Sequence, residues 1–373
     1  MIGYIIPTRD RHEELMRTLG EINRLGPQIG MGGAEVVVID NASKTPVQLP
    51  EQLPCGTRIR TLRLDENLGA AARNYGARAA DERCDWLVML DDDSAPLDSG
   101  FEVSLRRAPD DVAAVSADIF LGQNEDAIER REDGGLPEVF VGCGVAIRRD
   151  VFLDLGGYDE SFGFYAEEYD FCAKLLLAGK RTQFSQIFRV LHRKVSGNRD
   201  MNLIVERLVR NNGWVCQRYA PVGVLGDELN TCIERCRFIA KKEGATTGFK
   251  RGREELERTL EAQRRTPMDD AMWERFTGQS QAREAIKKRM PLGAASAQLI
   301  GEGKNSHVVR KAMRDLALRE VKSGGDCKLI ATMSPGPMID ALENGERGVP
   351  TIAPWLDAKL QSVFGAEHNV FAA

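Results

Sequence analysis

The chain has 373 residues, enough for a large hydrophobic core and for more than one domain. Its 51 basic and 56 acidic residues give a formal net charge of −5, which argues against a general nucleic-acid binder because such proteins are usually basic. No apolar run approaches the roughly 20 residues of a membrane-spanning helix, and the N-terminal MIGYIIPTRDR lacks the basic region and cleavage site of a signal peptide. We therefore expect a cytoplasmic protein without a transmembrane segment, with peripheral attachment to the inner membrane face as the alternative.

The eight cysteines are scattered along the chain and form no CxxC pair. Cys232 and Cys236 are one helical turn apart, but no second pair completes a zinc site. We therefore interpret all eight as ordinary buried thiols.

The first part of the chain alternates strand-like and helix-like segments. Strands are predicted at 2–6, 34–39 and 59–64, and helices at 11–25 and 70–80. Pro7 is expected to end the first strand, and Gly26-Pro27 to stop the first helix. A strand, a helix and a strand within about forty residues form a βαβ unit, which predicts a parallel sheet.

The stretch WLVMLDDDS at 86–94 combines a buried strand with an acidic cluster. Its continuous apolar run is typical of a strand covered on both faces. Asp91 and Asp93 are two residues apart and can face the same side, with Asp92 facing away. Such carboxylates suit Mg²⁺ or Mn²⁺ bound together with a substrate's phosphates, although a solvated acidic turn would have the same sequence.

Polar residues follow four predicted strands: Thr8 and Arg9, Asp40 and Asn41, Asn67 to Gly69, and the Asp91–Asp93 cluster. In an open α/β sheet, ligands bind beyond the carboxyl ends of the strands, so this repetition predicts a nucleotide site at one rim. No GxGxxG follows the first strand and no GxxxxGK[ST] occurs anywhere. A nucleotide used as a substrate, held by a metal and side chains, is therefore favoured over a bound dinucleotide or a P-loop.

The next part of the chain carries further candidate residues. A strand is predicted at 139–147, in which Gly142 and Gly144 indicate either the close approach of a ligand or a bulge. An aromatic loop at 158–165 precedes Glu167, Glu168 and Asp170, which open a helix predicted at 167–178; acidic residues in a first turn are also favoured by the helix dipole alone. A strand at 188–191 is followed by His192, Arg193 and Lys194, a cationic cluster able to receive an anion, although a lone histidine is often structural.

Together these stretches resemble glycosyltransferase family 2 over roughly residues 1–225. The matching segments are PTRDR at 7–11, VVVIDNAS at 36–43, ENLGAAARNYG at 66–76, LDDDS at 90–94, GCGVAIRRDVF at 142–152, GGYDESFGFYAEEYDFC at 156–172 and VLHRKVSG at 190–197. A tail at 210–221, RNNGWVCQRYAP, resembles the rhamnosyltransferase-like branch. The resemblance implies an α/β GT-A fold, a Rossmann-like mixed sheet that binds nucleotide-diphosphate sugars, in an inverting hexosyltransferase.

The resemblance also implies roles for individual residues. Thr8 and Arg9 would line the nucleotide pocket, Asp40 would bind the base beside Asn41, and Asn67 and Arg73 would face the nucleotide or its diphosphate. Asp91 would contact the ribose or sugar, Asp93 would bind Mn²⁺ or Mg²⁺, and His192 would be a metal ligand or a diphosphate contact. Glu168 stands where the family has the aspartate that acts as general base. Because the sequence reads Glu-Glu, either Glu167 or Glu168 is the expected base.

The expected reaction is the transfer of a sugar from a UDP-, dTDP- or GDP-sugar to an acceptor hydroxyl on a glycan, a lipid-linked compound or a small molecule. A base would take the hydroxyl proton, and the metal and nearby cations would offset the charge of the leaving diphosphate. A nucleotidyltransferase is the first alternative, although PTRDR lacks the glycines such enzymes usually have in this loop. A non-catalytic sugar-nucleotide-binding scaffold is the second.

Residues 226–373 lie beyond the resemblance and are expected to form a mainly helical extension. Helices are predicted at 225–242, 249–265 and 268–290. From residue 326 the pattern becomes βαβ-like, with a strand in CKLIATM, a turn in SPGP that could hold a phosphate, a short helix in MIDALENG and a possible strand in GVPTIAPW. Acceptor binding or homo-oligomerisation is the expected role.

Overall fold

The computed structural model describes residues 1–132, 136–193, 200–332, 334–343 and 349–355. A nine-stranded mixed sheet occupies the first half of the chain, in the order β3-β2-β1-β4-β8-β6-β9-β5 with β7 paired to β6. The strands are β1 Ile2–Thr8, β2 Ala34–Asp40, β3 Arg58–Arg63, β4 Trp86–Met89, β5 Ser94–Pro96, β6 Val112–Gly122, β7 Ile128–Arg131, β8 Val145–Arg148 and β9 Arg181–His192.

The strands β3, β2, β1 and β4 are parallel, as the βαβ pattern predicts. Their register pairs Thr8 with Asp40 and Ile5 with Met89, so the residues that follow β1, β2 and β4 leave the sheet at the same edge. Strand β8 then runs antiparallel to β4 and makes the sheet mixed. His192, the last residue of β9, is paired with Ser94, the first residue of β5 directly after the three aspartates.

Helices cover both faces of this sheet: α1 His12–Arg24, α2 Ala72–Ala79, α3 Phe101–Arg107, α4 Arg149–Asp154, α5 Glu167–Leu177 and α6 Met201–Tyr219. Alternate residues of a strand face opposite sides, so Val37 and Ile39 pack in one buried cluster and Val36 and Val38 in the other. The continuous apolar runs in the sequence thus mark strands buried on both faces.

The extension begins with four helices, α7 Leu225–Lys242, α8 Thr246–Thr259, α9 Asp270–Thr277 and α10 Gln279–Arg289. A second, fully parallel sheet follows in the order β11-β10-β12-β13. Its elements are β10 Ser296–Ile300, α11 Ser306–Asp315, β11 Arg319–Val321, β12 Cys327–Ile330, α12 Pro335–Glu343 and β13 Thr351–Ile352. One hydrophobic cluster includes both Ile5 and Phe276, so the helices of the extension share a core with the first sheet.

The prediction of an α/β fold with a mixed sheet and a mainly helical C-terminal region is confirmed. None of the helices in the described ranges is both long and apolar enough to cross a membrane.

Several local predictions are wrong. Strand β1 continues through Pro7 to Thr8, and the helix expected at 268–290 is divided at Gly278 into α9 and α10. The strand expected at 139–147 begins only at Val145, and Gly142 and Gly144 lie in the turn before it. The turn expected in SPGP is the start of α12 at Pro335, because proline is favoured in the first turn of a helix, where its missing N–H has no helical partner. Lys194, part of the predicted cationic cluster, lies outside the described residues.

Candidate active site

A cavity of about 460 Å³ lies at the carboxyl edge of the parallel strands. Five of the predicted site residues line it, and they come from α2, the exit of β4, the start of α5 and the end of β9: Arg73, Asp91, Glu167, Glu168 and His192. The sheet topology therefore gathers side chains that are widely separated along the chain.

Arg73 and Asp91 form an ion pair in the wall of this cavity. The Arg73 guanidinium is buried and also donates to the carbonyl oxygens of Leu90, at 3.0 Å, and of Gly142, at 3.4 Å. Burial would lower the pKa of Arg73, but the Asp91 carboxylate raises it above its ordinary value. The Asp91 side chain is 40% exposed, so one side of its carboxylate faces the cavity while the other is paired.

Asp92 and Asp93 are held by Arg11, a residue from the start of α1. Arg11 Nη1 lies 3.0 Å from Asp92 Oδ1, and Arg11 Nη2 lies 2.7 Å from Asp93 Oδ2. Asp92 also accepts a hydrogen bond of 2.8 Å from the Thr8 hydroxyl, and burial raises its pKa to about 7. Burial would raise the pKa of Asp93 too, but hydrogen bonds from His192 and Arg11 hold it well below its usual range.

His192 joins these carboxylates to the cavity. Its Nε2 lies 3.3 Å from Asp93 Oδ1, its Nδ1 lies 3.7 Å from Glu132 Oε2, and the Cys143 thiol is 3.5 Å from Nδ1. Burial opposes the charged form of the ring, but Cys143, Asp93 and Glu132 raise the pKa of His192 above its ordinary value.

The cluster fits a divalent metal. Asp91, Cys143 and His192 each offer a ligand atom, and these atoms lie within 4.8 Å of one another. Burial raises the pKa of the Cys143 thiol and neighbouring groups raise that of His192, so a metal bound by either side chain would displace a proton from it. An oxygen and a nitrogen ligand suit Mn²⁺ better than Mg²⁺, which prefers oxygen. The cavity is lined by Asp91, whereas Asp93, the predicted ligand, lies between Arg11 and His192.

Glu167 and Glu168 open α5 directly after two residues with left-handed backbone angles, Tyr165 at φ 74° and Ala166 at φ 66°. Asn211 of α6 holds the preceding loop, because its side-chain amide donates to the carbonyl oxygens of Phe162, Phe164 and Tyr165 at 2.6–3.0 Å. The conformation that presents the two glutamates is therefore fixed from a helix outside the sheet.

The two glutamates differ in their surroundings. Glu167 is 5% exposed, and its Oε2 has no hydrogen-bond partner among the described residues. Glu168 is partly exposed and accepts a hydrogen bond from the backbone N–H of Gly142. The Cα of Gly142 also lies close to the Glu168 carboxylate, because a Cβ added there would be 3.0 Å from Glu168 Oε1. Burial raises the pKa of both groups, and the charge of Glu168 raises that of Glu167 further.

Three residues predicted to contact the nucleotide also hold the loops around the rim. Asp40 accepts the backbone N–H of Ser43 at 2.8 Å and of Val47 at 3.1 Å, and it pairs with Arg63 at 2.5 Å. Asn41 joins its own loop to the next one, because it accepts the N–H of Leu68 and donates to the carbonyl oxygen of Gly69. Asn67 accepts the N–H of Gly69.

Thr8 contacts Asp92, and Arg9 is exposed. Among the described residues, the cavity lining does not include these two residues or three other predicted nucleotide contacts, Asp40, Asn41 and Asn67. The nucleotide-binding roles of all five stay predictions.

The sequence analysis missed two cations of the cavity wall, Arg235 of α7 and Lys304 of the loop before α11. Neither forms an ion pair with another residue in the described part of the chain. Both come from the extension, where no motif marks them; the glycines on either side of Glu302, just before Lys304, are the only local signal.

Residues 4–156 of the 373-residue chain match the model of the family described as "Glycosyl transferase family 2". Residues 4–156, about two fifths of the chain, are thus similar to glycosyltransferase family 2. The predicted family is thus supported for this segment, and the topology of its sheet agrees with the predicted GT-A class. The rhamnosyltransferase-like branch and the inverting mechanism stay predictions.

Two curated relatives match about half of the chain. A pre-mycofactocin glycosyltransferase of Mycobacterium tuberculosis is 27% identical over 210 residues, which cover 51% of this chain and 42% of that protein. An uncharacterized glycosyltransferase of Haemophilus influenzae is 27% identical over 197 residues, covering 47% of this chain and 62% of that protein. The chain thus spans about half the length of the curated relatives it matches.

Among solved structures, the crystal structure of GalNAc-T7 with UDP, GalNAc and Mn²⁺ is 18% identical to the chain. The aligned region covers 70% of this chain and 57% of the GalNAc-T7 chain, with a TM-score of 0.49.

Proposed function

We propose that the chain transfers a sugar from a nucleotide-diphosphate donor to an acceptor hydroxyl, with inversion at the anomeric carbon. The observation that carries this proposal is the meeting of Glu167, Glu168, Asp91 and His192 in one cavity at the carboxyl edge of the parallel strands. The family match of residues 4–156 supports the same reaction class.

Glu168 is the better candidate for the general base. A base needs a free carboxylate oxygen within about 2.6–3.2 Å of the acceptor hydroxyl, and Glu168 is the more exposed of the pair. Two neighbouring carboxyl groups favour sharing one proton, because like charges this close oppose double ionisation. Glu167 is the more deeply buried of the two and its Oε2 has no hydrogen-bond partner among the described residues, so burial favours a proton on Glu167 and leaves Glu168 as the carboxylate.

The leaving nucleoside diphosphate needs positive charge that is not already neutralised. Arg73 is paired with Asp91, and Arg11 is paired with Asp92 and Asp93. Arg235 and Lys304 line the cavity without carboxylate partners in the described ranges, so they would bind the diphosphate. A Mn²⁺ held by Asp91 and His192 would supply further charge compensation for the diphosphate when bound.

Substitutions of the two glutamates test the proposal. The intact chain is first assayed with Mn²⁺ for hydrolysis of, and transfer from, a panel of UDP-, dTDP- and GDP-sugars. With the donor so identified, we expect Glu168→Gln to lower kcat about 10²–10⁴-fold with little change in donor affinity. Glu167→Gln, which keeps a neutral side chain in place, should retain most of the activity.

Other outcomes separate the alternatives. Donor binding by isothermal titration without turnover would indicate a binding scaffold, and release of pyrophosphate from a nucleoside triphosphate would indicate a nucleotidyltransferase. A variant pair in which only Glu167→Gln is inactive would assign the base to Glu167.

A further inference from the structure

The second sheet has the topology of a nucleotide-binding unit. Its strands follow the chain order β10, β11, β12, β13 but lie in the order β11-β10-β12-β13. The connection from β10 to β11 therefore runs to one side of the sheet, and the connection from β12 to β13 runs to the other. This leaves a crevice between the carboxyl ends of the adjacent strands β10 and β12. In open parallel sheets, ligands bind at such a switch point.

The loop that leaves β10 at this crevice has the sequence Gly-Glu-Gly-Lys-Asn-Ser, at 301–306. Gly301 has a left-handed backbone, at φ +55°. A Cβ on Gly303 would lie 2.9 Å from the Thr332 hydroxyl, and the Gly303 N–H donates to the carbonyl oxygen of Ala331 at 3.1 Å. The loops after β10 and β12 thus lie against each other, and the first is followed at once by the ten-residue helix α11. A glycine-rich turn between a strand and a helix is the arrangement that accepts a pyrophosphate in dinucleotide-binding units.

Two buried side chains on these loops have no hydrogen-bond partner among the described residues. Asn305, which precedes α11, is 4% exposed with Nδ2 unpaired, and Ser334, which precedes α12, is fully buried with Oγ unpaired. A buried donor without a partner destabilises the unliganded protein, so such groups are rare unless something else satisfies them. Two of them on adjoining loops at one crevice indicate a ligand that carries acceptor oxygens.

We propose that this crevice binds the pyrophosphate of a dinucleotide, with Asn305 Nδ2 and Ser334 Oγ as donors to its oxygens. The next strand, β11, carries Glu320 about twenty residues after Gly301, where dinucleotide-binding units place the acidic residue that binds a ribose hydroxyl. Both Glu320 carboxylate oxygens accept hydrogen bonds of 2.9 Å from Arg310 of α11, so a ribose would share this carboxylate with Arg310. Lys304 of the same loop lines the sugar-donor cavity, whereas neither Asn305 nor Ser334 does, so the two sites adjoin through this loop.

Binding is measured on the intact chain by isothermal titration and by thermal shift, with NAD⁺, NADP⁺, ADP and inorganic pyrophosphate as probes. We expect NAD⁺ to bind and to raise the melting temperature. Ser334→Ala removes an unpaired hydroxyl, so the unliganded variant should melt at the same or a higher temperature while its affinity for NAD⁺ falls about tenfold. Asn305→Asp keeps the shape and the left-handed backbone but repels the pyrophosphate, and it should weaken binding at least as much.

Ser296→Ala is the matched control within the same sheet. The Ser296 hydroxyl donates to Asp326 at 2.8 Å, so this variant should lose stability and keep its response to NAD⁺. Asp91→Asn, in the sugar-donor cavity, should leave NAD⁺ affinity unchanged. The proposal is wrong if none of the four probes binds at millimolar concentration, or if both site variants keep the affinity of the intact chain. Loss of binding in Asp91→Asn would assign the nucleotide to the sugar-donor cavity instead.

Discussion

Gly142→Ala is the most direct test of how Glu168 is positioned. Gly142 accommodates the Glu168 carboxylate because it has no side chain, and its N–H donates to that carboxylate. The added Cβ would lie 3.0 Å from Glu168 Oε1, a few tenths of an ångström closer than an ordinary contact. The backbone of Gly142 is not left-handed, so alanine crowds Glu168, the proposed base, without adding backbone strain.

The expected effect follows from that displacement. A misplacement of about 1 Å in an active site lowers the rate about 10²-fold, so a shift of a few tenths of an ångström should lower kcat roughly tenfold. A tenfold loss corresponds to about 1.4 kcal/mol of activation free energy. The melting temperature should change little, because Glu168 is partly exposed and can move into the cavity.

Gly144→Ala is the control from the same turn. Its Cβ would lie 2.9 Å from Ile119 Cγ1, so it should destabilise the core by about 1–3 kcal/mol while the folded fraction keeps its kcat. Steady-state kinetics of donor turnover, paired with thermal unfolding, distinguishes the two variants. The reasoning is refuted if Gly142→Ala turns over at the rate of the intact chain while Glu168→Gln is inactive, because the base would then not depend on this contact.

Three further predictions concern charge. Arg235→Met and Lys304→Met should each raise the KM for the donor about tenfold, whereas Lys241→Met, on the last turn of α7, should not; donor titration of the three variants measures this. EDTA should abolish transfer, and added Mn²⁺ should restore it. The Mn²⁺ concentration required should rise as the pH falls, because the pKa of His192 is raised and the metal must displace the ring proton. Transfer that is unaffected by EDTA would contradict the proposed metal site. The folded-state pKa of Asp92, about 7, lies above its unfolded value. Its contribution to the free energy of unfolding is therefore largest below about pH 4 and is lost as the pH rises through about 7. Asp92→Asn should remove this pH dependence of the free energy of unfolding, which urea unfolding at several pH values measures.

The parallel core of the first sheet was predictable because its strands are continuous apolar runs. Strand β4 and the helices around it follow directly from such runs and from Pro and Gly signals. Strand β6 gave no comparable signal, because its sequence VAAVSADIFLG mixes alanine, serine and aspartate that pack on both faces of the sheet. Its existence depends on β8 and β9, which pair with it from about thirty and about seventy residues away.

The candidate site shows the same division between local and distant causes. The motif LDDDS predicted an acidic cluster, but local spacing could not decide which carboxylate faces the cavity. Arg11, directly before α1, holds Asp92 and Asp93, and His192 of β9 completes the environment of Asp93, so Asp91 is left at the cavity wall. These partners are tens of residues away, and no periodicity in the sequence links them to the aspartates.

The distribution of charge explains why the extension matters for the proposed reaction. Within the first 225 residues, Arg73 and Arg11 are each bound to a carboxylate, and His192 faces Asp93 and Glu132. A diphosphate adds negative charge to a wall whose cations are already neutralised, and in a low-dielectric cavity that charge needs compensation. The extension contributes Arg235 and Lys304 to this wall. Arg275 of the extension also pairs at 2.8 Å with Glu138, which is close in sequence to the Phe140–Cys143 segment that lines the cavity. A chain ending near residue 225 would lack these cations, so we expect donor binding to require residues of both halves.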